Sequence, residues 1–112
     1  MSITAKTLIA AKQAESSQTT QYTVSASTRT IIDKFTATNT SAGAVTLSVN
    51  LVTAADTAGN QNLIVKTKSL AAGETYTFPE VVGHVLDASG FISTIAGAAT
   101  SITIRASGRE IN

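Results

Sequence analysis

The stretch Val45-Thr46-Leu47-Ser48-Val49-Asn50-Leu51 alternates apolar and polar side chains without a break. Successive side chains of an extended chain point to opposite faces, so this segment is a strand with one face buried and one wetted. A helix would scatter the same apolar side chains around its circumference. Upstream, residues 30–39 read as a longer strand, with Ile31, Phe35 and Ala37 on one side and Ile32, Lys34, Thr36 and Thr38 opposite. The Asn-Thr-Ser-Ala-Gly cluster at 39–43 then reads as the turn of a hairpin into the Val45 strand.

Working outward, residues 21–26 form a short strand around Tyr22 and Val24, and residues 54–62 an exposed loop without apolar period. Extended structure resumes over 63–70, turns at Ala71-Ala72-Gly73-Glu74 and continues through 75–78. Pro79 ends that strand because it has no N–H for the ladder. Residues 81–86 are a short extended piece, 87–90 a turn and 91–95 a strand. In 101–106 the alternation returns, with Ile102, Ile104 and Ala106 inward. About eight short strands with turn signals every 8–12 residues or so imply an all-β fold, an antiparallel β-sandwich of jelly-roll or Ig-like type. Residues 20–112 are its domain. Residues 1–19 mix helix-compatible and strand-compatible stretches and are expected as an N-terminal arm or short helix outside the sandwich.

Composition agrees. Thr and Ala make up about a third of the 112 residues, and only 13% are charged, about half the usual share. The branched Cβ of Thr favours extended backbone while its hydroxyl tolerates water. Such a chain folds into sheets whose exposed faces are neutral and hydroxyl-rich. The net charge of +1, with cations scattered singly along the sequence, leaves no basic stripe for nucleic acid or an anionic membrane. A charge near zero favours self-association. The short Leu8-Ile9-Ala10-Ala11 stretch, flanked by Lys6 and Lys12, is too brief for a signal peptide or a membrane span, so the chain is expected to be made in the cytoplasm and to stay or assemble there.

Catalytic and metal-binding patterns are missing. There is no cysteine, and His84 is the single histidine, so a thiolate or multi-histidine metal site has no ligands. His84 lies near Glu80 and Asp87 but without a Gly-x-Ser-x-Gly elbow, and is read as structural or surface-exposed. The carboxylates Glu15, Asp33, Asp56, Glu74, Glu80, Asp87 and Glu110 are spread singly. Asp56 with Asn60 and Asn62 does not match a calcium loop and reads as loop solvation. No glycine run cradles a phosphate. Tyr22, Phe35, Tyr76, Phe78 and Phe91 sit in strands without interleaved basic residues and are assigned to the core. The sequence offers no catalytic, cofactor-binding or metal-binding residues, and the chain is read as non-enzymatic.

Several strings taken together carry a resemblance: Gln21-Tyr22-Thr23-Val24, the lead-in from Thr28 to Ile32, and Asn39-Thr40 with Ala44-Val45-Thr46-Leu47. Leu70-Ala71-Ala72-Gly73-Glu74-Thr75, Gly83-His84-Val85-Leu86 and Ile102-Thr103-Ile104 with Gly108 complete it. From about Gln21 onward the arrangement resembles small β-sandwich virion proteins of tailed bacteriophages. That resemblance implies a capsid decoration or cement protein located in the virion, assembled in the host cytoplasm and contacting the major capsid protein or other virion proteins. Closed symmetry then suits a homo-oligomer, a trimer at a threefold site in preference to a dimer at a twofold. A tail, collar or baseplate component, and a glycan- or receptor-binding module using loop 54–62, are the alternatives.

Overall fold

The computed structural model describes residues 1–112. Nine strands follow one another: β1 (Ile3–Gln13), β2 (Thr19–Thr23), β3 (Arg29–Asn39), β4 (Val45–Val52), β5 (Leu63–Leu70), β6 (Thr75–Thr77), β7 (Val85–Leu86), β8 (Phe91–Ala96) and β9 (Ile102–Ile111). They form two antiparallel sheets. One has the order β1-β9-β3-β6, with β7 on the far end of β3, and the other β2-β8-β4-β5. The alternating segment that opened the sequence is β4, an interior strand of the second sheet. Its Leu47 and Val49 are fully buried and face Ala96 and Thr94 of β8.

Between the sheets lies one apolar core that includes Phe35, Phe78, Ile32, Leu47, Leu70, Ile92, Ile102 and Ile104. Phe78 anchors it edge-on to two rings, at 5.4 Å from Phe35 and 4.8 Å from Tyr76, a geometry that sets a positive ring edge on a negative face. Phe35, Phe78 and Tyr22 are buried as the sequence implies. Phe91 is only half-buried, stands outside that core and lies opposite Val52.

Several local readings change: Ser48 and Asn50, on the face of β4 read as wetted, are buried, at 6% and 2% exposure, only Val85–Leu86 of residues 81–86 is strand, and three further changes alter the pairing. Residues 1–19 do not form an arm or helix outside the sandwich: β1 pairs along its length with β9 and sends Leu8 and Ile9 into the core. Its register shifts between Thr7 and Ile9 and again between Ile9 and Lys12. Those bulges bring two consecutive apolar residues inward, a pattern that strand alternation does not describe. In β3 a shift between Ile32 and Lys34 leaves Asp33 as the extra residue. Ile32, not Ile31, therefore joins Phe35 and Ala37 inside, and Lys34 still faces out. Finally, β3 and β4 lie in different sheets, so residues 39–43 form an arch and not a hairpin. Buried Asn39 holds it, its amide donating to the carbonyls of Gly43 (2.8 Å) and Leu70 (2.9 Å) and its Oδ1 accepting from Ser41 N (2.9 Å).

Candidate functional site

The residues that could have carried chemistry are apart. His84 is exposed in the turn before β7, and its imidazole makes no hydrogen bond or ion pair with a carboxylate. Asp56 and Asn62 do meet, as a loop closure. Buried Asn62 accepts from Asn50 Nδ2 (2.8 Å) and Gly59 N (3.1 Å) and donates to Thr57 O (2.9 Å). Asp56 accepts from Thr57 N (2.8 Å) and from Gln61, and the first of these holds its carboxyl below the usual range. Asn60 is exposed and outside this network. These amide and backbone partners fix loop 53–62 over β4 and leave no convergent set of oxygen ligands.

What the fold does present is edges and faces. β2, with five residues, and β6 and β7, with three and two, are short edges. β5 is longer, but its edge is disrupted by a bulge at which Thr67 takes φ 45 and its amide turns to Ser48 Oγ (2.8 Å). Lys66 and Lys68 flank that bulge. Bulges and lysines are the usual means of blocking edge pairing. β1 differs. Over Ile3–Thr7 it keeps an unbroken register against Ile111–Ser107. Ser2 and Asn112 exchange both backbone hydrogen bonds (2.9 and 3.1 Å). By antiparallel alternation Ile3, Ala5 and Thr7 then turn their N–H and C=O groups to the free edge. Ile3 is 58% exposed there.

Two polar clasps tie β1 and its neighbours to the opposite sheet. In the first, the buried Tyr22 hydroxyl of β2 donates to Glu110 Oε2 of β9 (2.6 Å) and is 2.7 Å from Thr30 Oγ1 of β3. With its proton committed to Glu110, Tyr22 accepts from Thr30. Lys6 of β1 lies 3.3 Å from the same carboxylate. In the second, Glu15 accepts from Lys12 Nζ (2.8 Å) and Gln21 Nε2 (2.9 Å), and Gln21 also donates to Thr94 of β8 (3.0 Å).

The clasps make stability depend on pH. The Tyr22 hydroxyl, then Lys6, hold the Glu110 carboxyl below its ordinary value, and the Lys12 and Gln21 hydrogen bonds bring Glu15 from 4.5 to about 2. Carboxyls depressed in the folded state stabilise it above their unfolded pKa and lose that contribution as pH falls. Burial, then Glu110, push Tyr22 from 10.0 up to about 12, so its contribution is complete below 10 and fades above it. The melting temperature should therefore be level from about pH 5 to 9 and fall on both sides. Glu110→Gln should flatten part of the acid limb. A Glu110→Gln profile parallel to wild type between pH 5 and 2.5 would show that the first clasp is not coupled to folding.

Two shallow clefts remain. One, of about 400 Å³, lies at the end of the sandwich among Met1, Ser27, Arg29, Asp87, Ile111 and Asn112. The other, of about 350 Å³, lies on the outer face of the β1-containing sheet and is lined only by Lys34, Thr36, Arg105 and Ser107. In the sequence these two cations are separate members of a scattered set. The β3–β9 register, which faces Lys34 with Ser107 and Thr36 with Arg105, brings them together.

No family model and no curated protein matches the chain. Its fold is similar to that of a solved structure described as Bacillus endospore appendages forming a novel family of disulfide-linked pili. The two share 14% identity and a TM-score of 0.54 over 98% of this chain and 88% of the other. It is also similar to part of a structure of infectious bursal disease virus, Gx strain, at 12% identity and a TM-score of 0.53, over 97% of this chain. The chain spans 31% of that viral protein's length. At such identities the likeness is one of fold. No helix is long and apolar enough to cross a membrane.

Proposed function

We propose that this chain is a structural subunit of a phage particle, most specifically a capsid decoration or cement protein that reinforces contacts between coat subunits. The observation that carries the proposal is the open edge of β1. The first five residues of β1, Ile3–Thr7, keep a regular register ahead of that strand's two bulges, while β5 is bulged in its middle between Lys66 and Lys68; a regular stretch at an edge is what a partner strand needs. Main-chain pairing needs no charged partner, in keeping with the net charge of +1. The resemblance to virion proteins supports the reading, as do fold neighbours drawn from a virus and from pili. Without cysteine the chain has no means of the disulfide linkage named for those pili. The occupant of the edge is an extended segment of an adjacent coat subunit, and a three-fold cluster of copies suits that site.

Cryo-EM of intact particles tests the location. The expected result is a repeated feature on the outside of the shell; density confined to the tail would transfer the protein to the tail reading, and its absence from particles would sink both. Ala5→Pro tests the edge. Ala5 N–H faces outward, so proline removes no bond of the internal ladder, and edge positions of this kind tolerate it. The variant should fold with wild-type circular dichroism yet be retained on particles at least tenfold less. Full occupancy through a heat challenge would show that the edge is not the contact.

A further inference from the structure

We propose that the depression formed by Lys34, Thr36, Arg105 and Ser107 is an oxyanion-binding site. The argument begins with the bulge at Asp33. Ile32 faces the core, and an unbroken strand would turn Lys34 inward with it; the extra residue sends Lys34 outward beside Thr36. Lys34 pairs with Ser107 and Thr36 with Arg105, so the two cations are diagonal neighbours on adjacent strands. Diagonal positions are about 7–8 Å apart at the backbone, a span that both long side chains close easily onto one group.

These side chains are uncommitted. Lys34, Thr36 and Ser107 make no side-chain hydrogen bond, and Arg105 makes one, of 3.4 Å, to Thr7. Of the six other Lys and Arg side chains four are engaged, Lys6 with Glu110, Lys12 with Glu15 and Arg109 with Asp33, and Lys68 over the Tyr76 ring at 4.5 Å, while Arg29 and Lys66 are not paired with another cation across strands. Asp33, next to Lys34 in the chain, is committed elsewhere, held in a fork by Arg109 at 2.9 and 3.0 Å. Two like charges held close without a counter-charge repel each other, and an anion between them removes that repulsion. A planar guanidinium, an ammonium and two hydroxyls together match a group with several oxygens, a sulfate or phosphate or the carboxylate of an acidic protein segment. Its four residues lie on the faces of β3 and β9, and their only side-chain tie to β1 is the Arg105–Thr7 hydrogen bond, so the site stands or falls independently of the particle reading.

The test is an amide NMR titration of the full chain with sodium sulfate and, separately, with a blocked triglutamate peptide. Sodium chloride at matched ionic strength is the control, since sulfate also acts on proteins by general exclusion. Saturable shifts at residues 34, 36, 105 and 107 with either ligand, weakened at least tenfold in Lys34→Ala/Arg105→Ala, establish the site. The ligand that produces them identifies whether a free anion or a protein carboxylate is the source. Both side chains are exposed, so the double variant keeps its fold, which its spectrum verifies. Shifts that match the chloride control, or that persist in the double variant, overturn the proposal.

Discussion

Gly108→Ala should lower stability by about 3 kcal/mol or more, and Gly108→Val should fail to fold cooperatively. Gly108 lies in β9, opposite Ile32 on one side and Lys6 on the other. Both neighbouring strands bulge beside it, β1 at Leu8 and β3 at Asp33. A Cβ on Gly108 would collide with the Ile31 carbonyl oxygen and meet Leu8 Cδ1 at 2.9 Å. The side chain could move, but the carbonyl belongs to the ladder and cannot without parting β3 from β9. Glycine within a strand commonly marks this kind of close backbone approach. A loss of about 3 kcal/mol is a large part of a net stability of about 5–15 kcal/mol. It would reduce the melting temperature by about 10 °C and the urea midpoint in proportion. Gly43→Ala supplies the contrast: an added Cβ there meets nothing within 4 Å, so the change should be near neutral. Equal effects at the two glycines would mean that the bulged register around Gly108 is wrong.

That residue also shows what the sequence could and could not disclose. β4 and the first half of β9 are legible because their alternation runs uninterrupted against a regular partner. β9 continues to Ile111 through Ser107-Gly108-Arg109-Glu110, residues of poor strand propensity whose extended form is imposed by strands on both sides. In β3 a single extra residue at Asp33 inverts the facing of everything before it, which periodicity alone cannot detect. The N-terminal segment misleads for a related reason: its alanines suit a helix, and two bulges hide its strand period. The candidate surfaces were less accessible still. Tyr22 and Glu110 are 88 positions apart, and Lys34 and Arg105 meet only through strand order. Which strand ends up at an edge is likewise a property of topology. Sequence patterning reports one strand's relation to the core, and sites made by neighbouring strands require the pairing itself.

Removing residues 1–14 should abolish cooperative folding. The truncation deletes Leu8, Ile9 and Ala14 from the core, where their relative exposures are 6%, 2% and 1%. Burial of a Leu or Ile side chain contributes about 1.5–3 kcal/mol, so these residues alone approach the lower end of net domain stability. Both polar clasps lose their lysines, and Tyr22 and Thr30 lose the cation that balances Glu110. The cut also turns β9 from an interior strand into an edge, exposing a ladder that runs from Thr103 to Ile111. The expected product has poor amide dispersion, binds a hydrophobic dye and shows no sharp urea transition. A synthetic peptide of residues 1–14 added in trans should restore native dispersion, since strand addition to a vacated edge re-forms both the ladder and the core contacts. A truncated chain that unfolds cooperatively at a urea midpoint close to wild type would make β1 an appendage after all. Failure of the peptide to rescue an unfolded truncation would instead place the contribution of β1 in the folding of the connected chain. Rescue has a consequence for assembly: an edge that accepts its own first strand from outside can exchange it with a neighbour. In the intact chain β1 fills that position itself and leaves only its own outer edge, at Ile3, Ala5 and Thr7, open to a partner.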